Sequence, residues 1–124
     1  MKGHTALITG GARGIGKAIA DTLAQKGVHI IIVDVNMDIA KEASSDIEKF
    51  GVKSIALKAD VSNASDVSNM FESAIKEFGK IEILVNNAGI TRDGLLLRMK
   101  DEDWDSVINI NLKGTFLCSR EAVK

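Results

Sequence analysis

The stretch Thr9-Gly10-Gly11-Ala12-Arg13-Gly14-Ile15-Gly16 decides how this chain is read. A short apolar run, His4 to Thr9, leads into it. Ile15, Ile19 and Leu23 leave it at helical spacing, and Gly27 is placed to stop that helix. Glycines at this density let the backbone turn sharply, let a pyrophosphate approach the main chain, and let the helix pack close to the sheet. The helix start adds unpaired N–H groups and a partial positive charge. An ordinary tight turn also uses glycine, but the position after a strand, before a helix and inside a strand–helix–strand unit favours nucleotide binding. A second motif overlaps: Gly11-x-x-x-x-Gly16-Lys17 matches the first seven positions of a phosphate-binding P-loop. Ala18 then stands where Ser or Thr must hold Mg²⁺, so nucleoside triphosphate hydrolysis is disfavoured.

Outward from the turn the pattern repeats. Val28 to Val33 (VHIIIV) is continuous and β-branched, as in a strand buried on both faces. Ile39, Ala43, Ile47 and Phe50 form an apolar stripe before Gly51, and Ser54 to Leu57 lies in a third strand leading to Asp60. Asn63 is placed as a helix N-cap, with Asp66 facing the positive helix end. Val67, Met70, Phe71, Ala74, Ile75 and Phe78 keep helical spacing up to Gly79, and Ile81 to Val85 reads as a fourth strand. From about Asp101 to Lys124 the pattern is helical again, with Gly114 inside it. The order β-α-β-α-β-α-β-loop-α predicts an α/β fold: a doubly wound parallel sheet of about four strands with flanking, right-handed helical crossovers. The final pattern stops at Glu121-Ala122-Val123-Lys124 without a glycine cap or turn signal, and no strand follows the fourth to pair with it. Residues 1–124 therefore read as one cut unit, the cofactor-binding portion of something longer.

Composition narrows the function classes. The 124 residues carry 16 Lys+Arg against 17 Asp+Glu, which leaves no electrostatic footprint for nucleic acid and no polybasic membrane patch. A single cysteine, Cys118, excludes an internal disulfide and a cysteine-based zinc cluster; it reads as a buried helix residue. The longest apolar run is far too short to span a bilayer, and Met1 leads straight into a strand pattern, so a cytoplasmic protein is expected. His29 reads as a packed strand residue and Trp104 as packing for the last helix. The chain has 0 Pro and 0 Tyr; the second absence rules out a phenol as proton donor on this chain.

The second strand ends at Asp34, 18 residues past Gly16, where an acid holds a ribose 2′-OH in dinucleotide sites. A solvated loop aspartate or a helix cap would use the same residue. Arg13 pulls the other way, since it could pair with a 2′-phosphate, or be simply solvated. An Asp34 turned into the site repels that phosphate, so NAD is favoured and NADP is the alternative.

Thr9-Gly10-x-x-x-Gly14-x-Gly16 resembles the glycine motif of the short-chain dehydrogenase/reductase family. Asp60-Val61 looks like that family's adenine-contacting pair, Asn86-Asn87-Ala88-Gly89 like its fourth-strand signature, and Asn109-Ile110-Asn111-Leu112 like its active-site helix segment. The four motifs in order span the chain. The resemblance implies a Rossmann-like fold, with Gly10, Gly14, Ile15 and Gly16 shaping the pyrophosphate site and Asp34 on the ribose. It further implies Asp60 and Val61 at adenine, Asn87, Ala88 and Gly89 supporting the cofactor, and Asn111 holding a water in a proton relay. Plainer roles stay open: Asp60 as a turn residue, Asn86 and Asn87 as partners for backbone groups, Asn111 as a helix-kink residue. Within the family, Asn87 to Asp93 with Leu95, Leu96, Arg98, Met99 and Lys100 is similar to 3-oxoacyl-[acyl-carrier-protein] reductases. That similarity implies fatty acid synthesis, an oligomer, and acyl carrier protein as a partner that Arg98-Met99-Lys100 could touch, although a solvated loop explains those three residues too. Related alcohol, polyol and steroid dehydrogenases share much of this stretch. The family's Tyr-x-x-x-Lys site is absent, which predicts a cofactor-binding half without catalysis of its own. A non-catalytic module pairing through its exposed fourth strand is the alternative from another class.

Overall fold

The computed structural model describes residues 2–87. The elements run β1 (Thr5–Thr9), α1 (Gly14–Gln25), β2 (His29–Asp34), α2 (Met37–Glu48), β3 (Ser54–Lys58), α3 (Ala64–Phe78) and β4 (Ile83–Asn86). All strand pairs are parallel, in the order β3-β2-β1-β4. The helical pattern from Asp101 onward lies outside the described residues.

Side chains alternate across a strand, and here the alternation sorts the core into two layers. Ala6, Ile8, Ile30 and Ile32 face the helices that cross from β1 to β3, packing on Ala20 and Ala24 of α1 and Ala40, Ala43 and Ile47 of α2. Leu7, Ile31 and Val33 face the other way, onto Val67, Met70, Phe71 and Ala74 of α3. A sheet covered on both faces needs no polar alternation, which is why β1 and the interior of β2 read as unbroken apolar runs.

Helix ends follow their local chemistry. In α1, the Gly27 N–H donates to Ala24 O (3.0 Å) and the Val28 N–H to Leu23 O (3.2 Å), with Gly27 at φ +83°, a Schellman termination. The Asn63 side chain accepts from the Asp66 N–H at the start of α3, as its position implied. Three apolar residues depart from the predicted stripes, among them Ile75 of α3, which is 46% exposed. Ile15 is 74% exposed because it lies in the first turn of α1, and Phe50 is 42% exposed because α2 ends before it, at Glu48. His29 sits at the start of β2, where its Nδ1 accepts the Lys53 N–H at 3.0 Å.

At the amino end of the sheet, just before β4 begins, Glu82 bonds to Thr5 of β1. Its Oε2 accepts the Thr5 N–H at 2.6 Å, and its own N–H donates to Thr5 O at 3.0 Å. The Thr5 N–H holds the Glu82 carboxyl below its ordinary value of 4.5, and the charges of His4 and Lys80 act in the same direction. Because the folded-state value is depressed, this contribution is complete above the ordinary value and is lost as pH falls through the folded one. Denaturant unfolding between about pH 6 and pH 3 should therefore show a smaller acid loss of stability in Glu82→Gln than in the parent chain. Equal losses would mean that the Thr5 bond does not favour the ionised carboxylate.

Candidate functional site

The strand order reverses between β1 and β4, since the chain moves from β1 out to β3 and then returns to the opposite side of β1. Ligands of open α/β sheets bind at such a switch point, outside the carboxyl ends of the strands. The glycine-rich turn leaves β1 there, and Asn87 follows β4 there.

Three contacts build the turn. The Gly10 N–H donates to Val33 O at 2.8 Å and the Gly11 N–H to the same carbonyl at 3.3 Å, tying the turn to β2. Gly10 and Gly14 adopt φ +62° and +60°, the left-handed region that favours glycine. Gly16 has the closest approach: a Cβ there would strike Gly10 O and come within 2.5 Å of Asn87 Nδ2. Gly11 is also confined, with a Cβ position 3.0 Å from Ile8 O and 3.1 Å from Ile32 Cδ1. Gly11 was not among the predicted site residues, although its place between Gly10 and Ala12 in the same turn was a visible signal.

Among the described residues, helix α1 begins without a side-chain cap for its first amides. Arg13 is the N-cap residue in extended conformation, its side chain makes no cap bond, and the first turn has no acid. The leading N–H groups of a helix have no acceptors within it. Such a start favours an anion through directed donors and the helix dipole. Arg13 is exposed and forms no ion pair among the described residues. Lys17, the lysine of the overlapping P-loop pattern, is drawn down the helix to Asp21 Oδ1 at 2.8 Å. That geometry removes its ammonium from the turn and counts against the P-loop reading.

Asn87 and Thr9 close the far side. Asn87 Nδ2 donates to Gly10 O (3.1 Å), and the Asn87 N–H reaches Thr9 Oγ1 (3.1 Å). The buried Thr9 hydroxyl in turn donates to Val85 O (3.4 Å). Asn87 therefore satisfies backbone groups and braces the turn from below, the plainer of its two sequence readings.

The remaining candidates line the ends of β2 and β3. Asp34 is half-buried, and its Oδ1 accepts the Asn36 N–H at 3.1 Å. Its Oδ2 has no hydrogen bond among the described residues. Lys58 is its register partner on β3 and is exposed. Asp60 forms an Asx turn, with Oδ1 accepting from the Ser62 N–H (2.9 Å) and hydroxyl (2.6 Å), so the turn role is real. Val61 is 5% exposed and packs in the core layer beneath α3. Two large apolar residues, Ile15 at 74% and Val35 at 58%, stay uncovered beside Arg13 and Asp34 in sequence. Ala88, Gly89 and Asn111 lie outside the described residues.

A family model described as short chain dehydrogenase matches residues 4–124. The chain belongs to the short-chain dehydrogenase family. Among curated proteins, it is 44% identical over 119 residues to a 3-oxoacyl-[acyl-carrier-protein] reductase FabG of Staphylococcus aureus, covering 95% of this chain and 48% of that protein. It is 44% identical over 125 residues to a 3-oxoacyl-[acyl-carrier-protein] reductase of Synechocystis, covering 100% of this chain and 51% of the other. Two solved structures superpose closely. One, described as a short-chain alcohol dehydrogenase of Sinorhizobium meliloti, has TM-score 0.93 at 34% identity, over 98% of this chain and 48% of that one. The other, an NAD⁺-bound xylitol dehydrogenase, has TM-score 0.94 at 30% identity, over 98% and 47%. The chain thus spans about half the length of the family members it matches. Both the family and the parallel sheet with flanking helices are as the sequence motifs implied. No helix among the described residues is long and apolar enough to cross a membrane.

Proposed function

We propose that this chain binds a nicotinamide dinucleotide, NAD in preference to NADP, as the cofactor-binding portion of an oxidoreductase of the 3-oxoacyl-[acyl-carrier-protein] reductase type. The observation that carries this is the cradle at Gly16: the start of α1 approaches Gly10 O and Asn87 so closely that no Cβ fits, and no side chain among the described residues caps its leading amides. A pyrophosphate suits the helix start that this packing holds in place, because the amides there are donors and the helix dipole favours an anion. Asp34, with one carboxylate oxygen fixed by Asn36 and the other open, would take a ribose hydroxyl. When bound, the nicotinamide supplies the hydride chemistry, and the protein orients it. Thr9, Gly10, Arg13, Gly14, Ile15, Asp60, Val61, Ala88 and Gly89 complete the proposed cofactor contacts, and Asn111 is proposed to hold a water of the proton relay.

The whole protein would reduce a 3-oxoacyl thioester delivered by acyl carrier protein in fatty acid synthesis, as a cytoplasmic oligomer. A second reading, an NAD-dependent polyol or alcohol dehydrogenase, is favoured by the acid at Asp34 and by the likeness to an NAD⁺-bound xylitol dehydrogenase. In either case the chain alone is expected to bind without turning over. It holds no tyrosine to protonate the alkoxide, and loss of a general acid costs about 10²–10⁴-fold. Titration with NADH followed by assay on a 3-oxoacyl thioester tests both parts. Saturable NADH binding with negligible oxidation is the expected outcome. Absence of binding defeats the proposal, and turnover near ~10 s⁻¹, typical of intact enzymes, defeats its second half.

A further inference from the structure

The sequence gives Asp66 one task, to sit at the positive end of α3. The structure gives it a second. Its Oδ2 accepts the main-chain N–H of Asp60 at 2.9 Å, reaching back six residues across the turn. Asp66 is itself fixed, because its N–H donates to Asn63 Oδ1 at 3.0 Å. The Asn63 N–H then donates to Asp60 O at 3.0 Å. Ser62 takes Asp60 Oδ1 through both its N–H and its hydroxyl. Around Asp60 the N–H, the carbonyl and one carboxylate oxygen are therefore all committed. Its Oδ2 has no hydrogen bond among the described residues.

A carboxylate oxygen accepts only donors, and the donor that an adenine ring offers is its N6 amine. We infer that Asp66 is a positioning residue for adenine recognition: it clamps the Asp60 main chain so that the free Oδ2 is held as an acceptor for the N6 amine. This rests on the proposed dinucleotide site. Removal of the clamp lets the Asp60 turn relax about its remaining bonds, so the acceptor is no longer preorganised. Met70 serves as the internal control. Its buried side chain packs α3 against the sheet and takes no part in the hydrogen bonds around Asp60, so its truncation weakens the helix and leaves those bonds in place.

The experiment compares the affinities of the full chain for NADH and for the analogue in which hypoxanthine replaces adenine. The analogue lacks the N6 donor and turns a carbonyl toward Asp60. The parent chain should prefer NADH by about tenfold, the worth of one hydrogen bond to a charged group. Asp66→Ala should bring that ratio close to one. Asp66→Asn, whose amide oxygen still accepts the Asp60 N–H, should preserve it. Met70→Ala should lower the melting temperature and leave the ratio intact. An Asp66→Ala chain with the parental ratio overturns the inference, as does a parent chain that binds NADH and its analogue equally. In both of those cases the dinucleotide site itself still stands. A parent chain that binds no NADH takes down the site and this inference together.

Discussion

Gly16→Ala is expected to unseat the glycine turn and reduce NADH affinity at least ~100-fold, a loss of about 2.7 kcal/mol. The new methyl would meet Gly10 O, a backbone atom, and Asn87 Nδ2, whose displacement would break its bond to Gly10 O. Gly10 is held from one side by Val33 O and from the other by the Asn87 amide. Overpacking against side chains commonly costs about 1–3 kcal/mol, and backbone atoms yield less than side chains do. A stability loss of about 2–3 kcal/mol follows, visible as a melting temperature lower by roughly 10–20 °C. Gly14→Ala is the contrasting substitution. Nothing lies within 4 Å of a Cβ there, so only the strain of its φ of +60° remains, about 1–2 kcal/mol. The two variants should rank with Gly16→Ala clearly the worse in both stability and binding. The reverse order, from thermal melts and NADH titration, would refute the cradle.

Asp34→Ser should swing cofactor preference toward NADPH by about 100-fold, measured as the ratio of the two dissociation constants. Two effects add. NADH loses a hydrogen bond to a charged acceptor, worth about 1.5–3 kcal/mol. NADPH escapes the like-charge repulsion that Asp34 imposes on a 2′-phosphate. Two cations are placed to benefit: Arg13, which has no ion pair among the described residues, and Lys58, the register partner of Asp34 on β3. An unchanged ratio would mean that Asp34 serves only its turn with Asn36. The outcome also bears on the choice between the two oxidoreductase readings, because the acid at Asp34 is the feature that the polyol dehydrogenase reading leans on.

The layered fold was legible because two periodicities coincide in this chain. The unbroken apolar runs at β1 and β2 and the 3.6-residue stripe of α3 each have one physical solution, a sheet covered on both faces. The stripes misled at their ends and at Ile75, which sits at the margin of the apolar face of α3 and is 46% exposed. Ile15 and Phe50 keep helical spacing, yet Ile15 falls in an exposed first turn and Phe50 falls beyond the last one. In the site, the glycines could be read because few other residues tolerate left-handed backbone or backbone-to-backbone contact. The brace from Asn87 to Gly10 could not, because it joins positions 77 residues apart and no local pattern encodes it. The Asp66 clamp was hidden for a different reason: an acid in the first turn of a helix already has a sufficient local explanation.

That long brace also orders events in time. The β1–β2 and β2–β3 pairings each close over one helix, whereas β4 must return past all three helices to reach β1. Contacts of such separation carry the larger entropic cost of loop closure and slow folding. Until β4 docks, Gly10 O lacks its amide partner and Gly16 lacks the wall against which it is packed. The anion cradle is therefore a late product of folding, and a chain emerging from synthesis acquires it only when its eighty-seventh residue is in place.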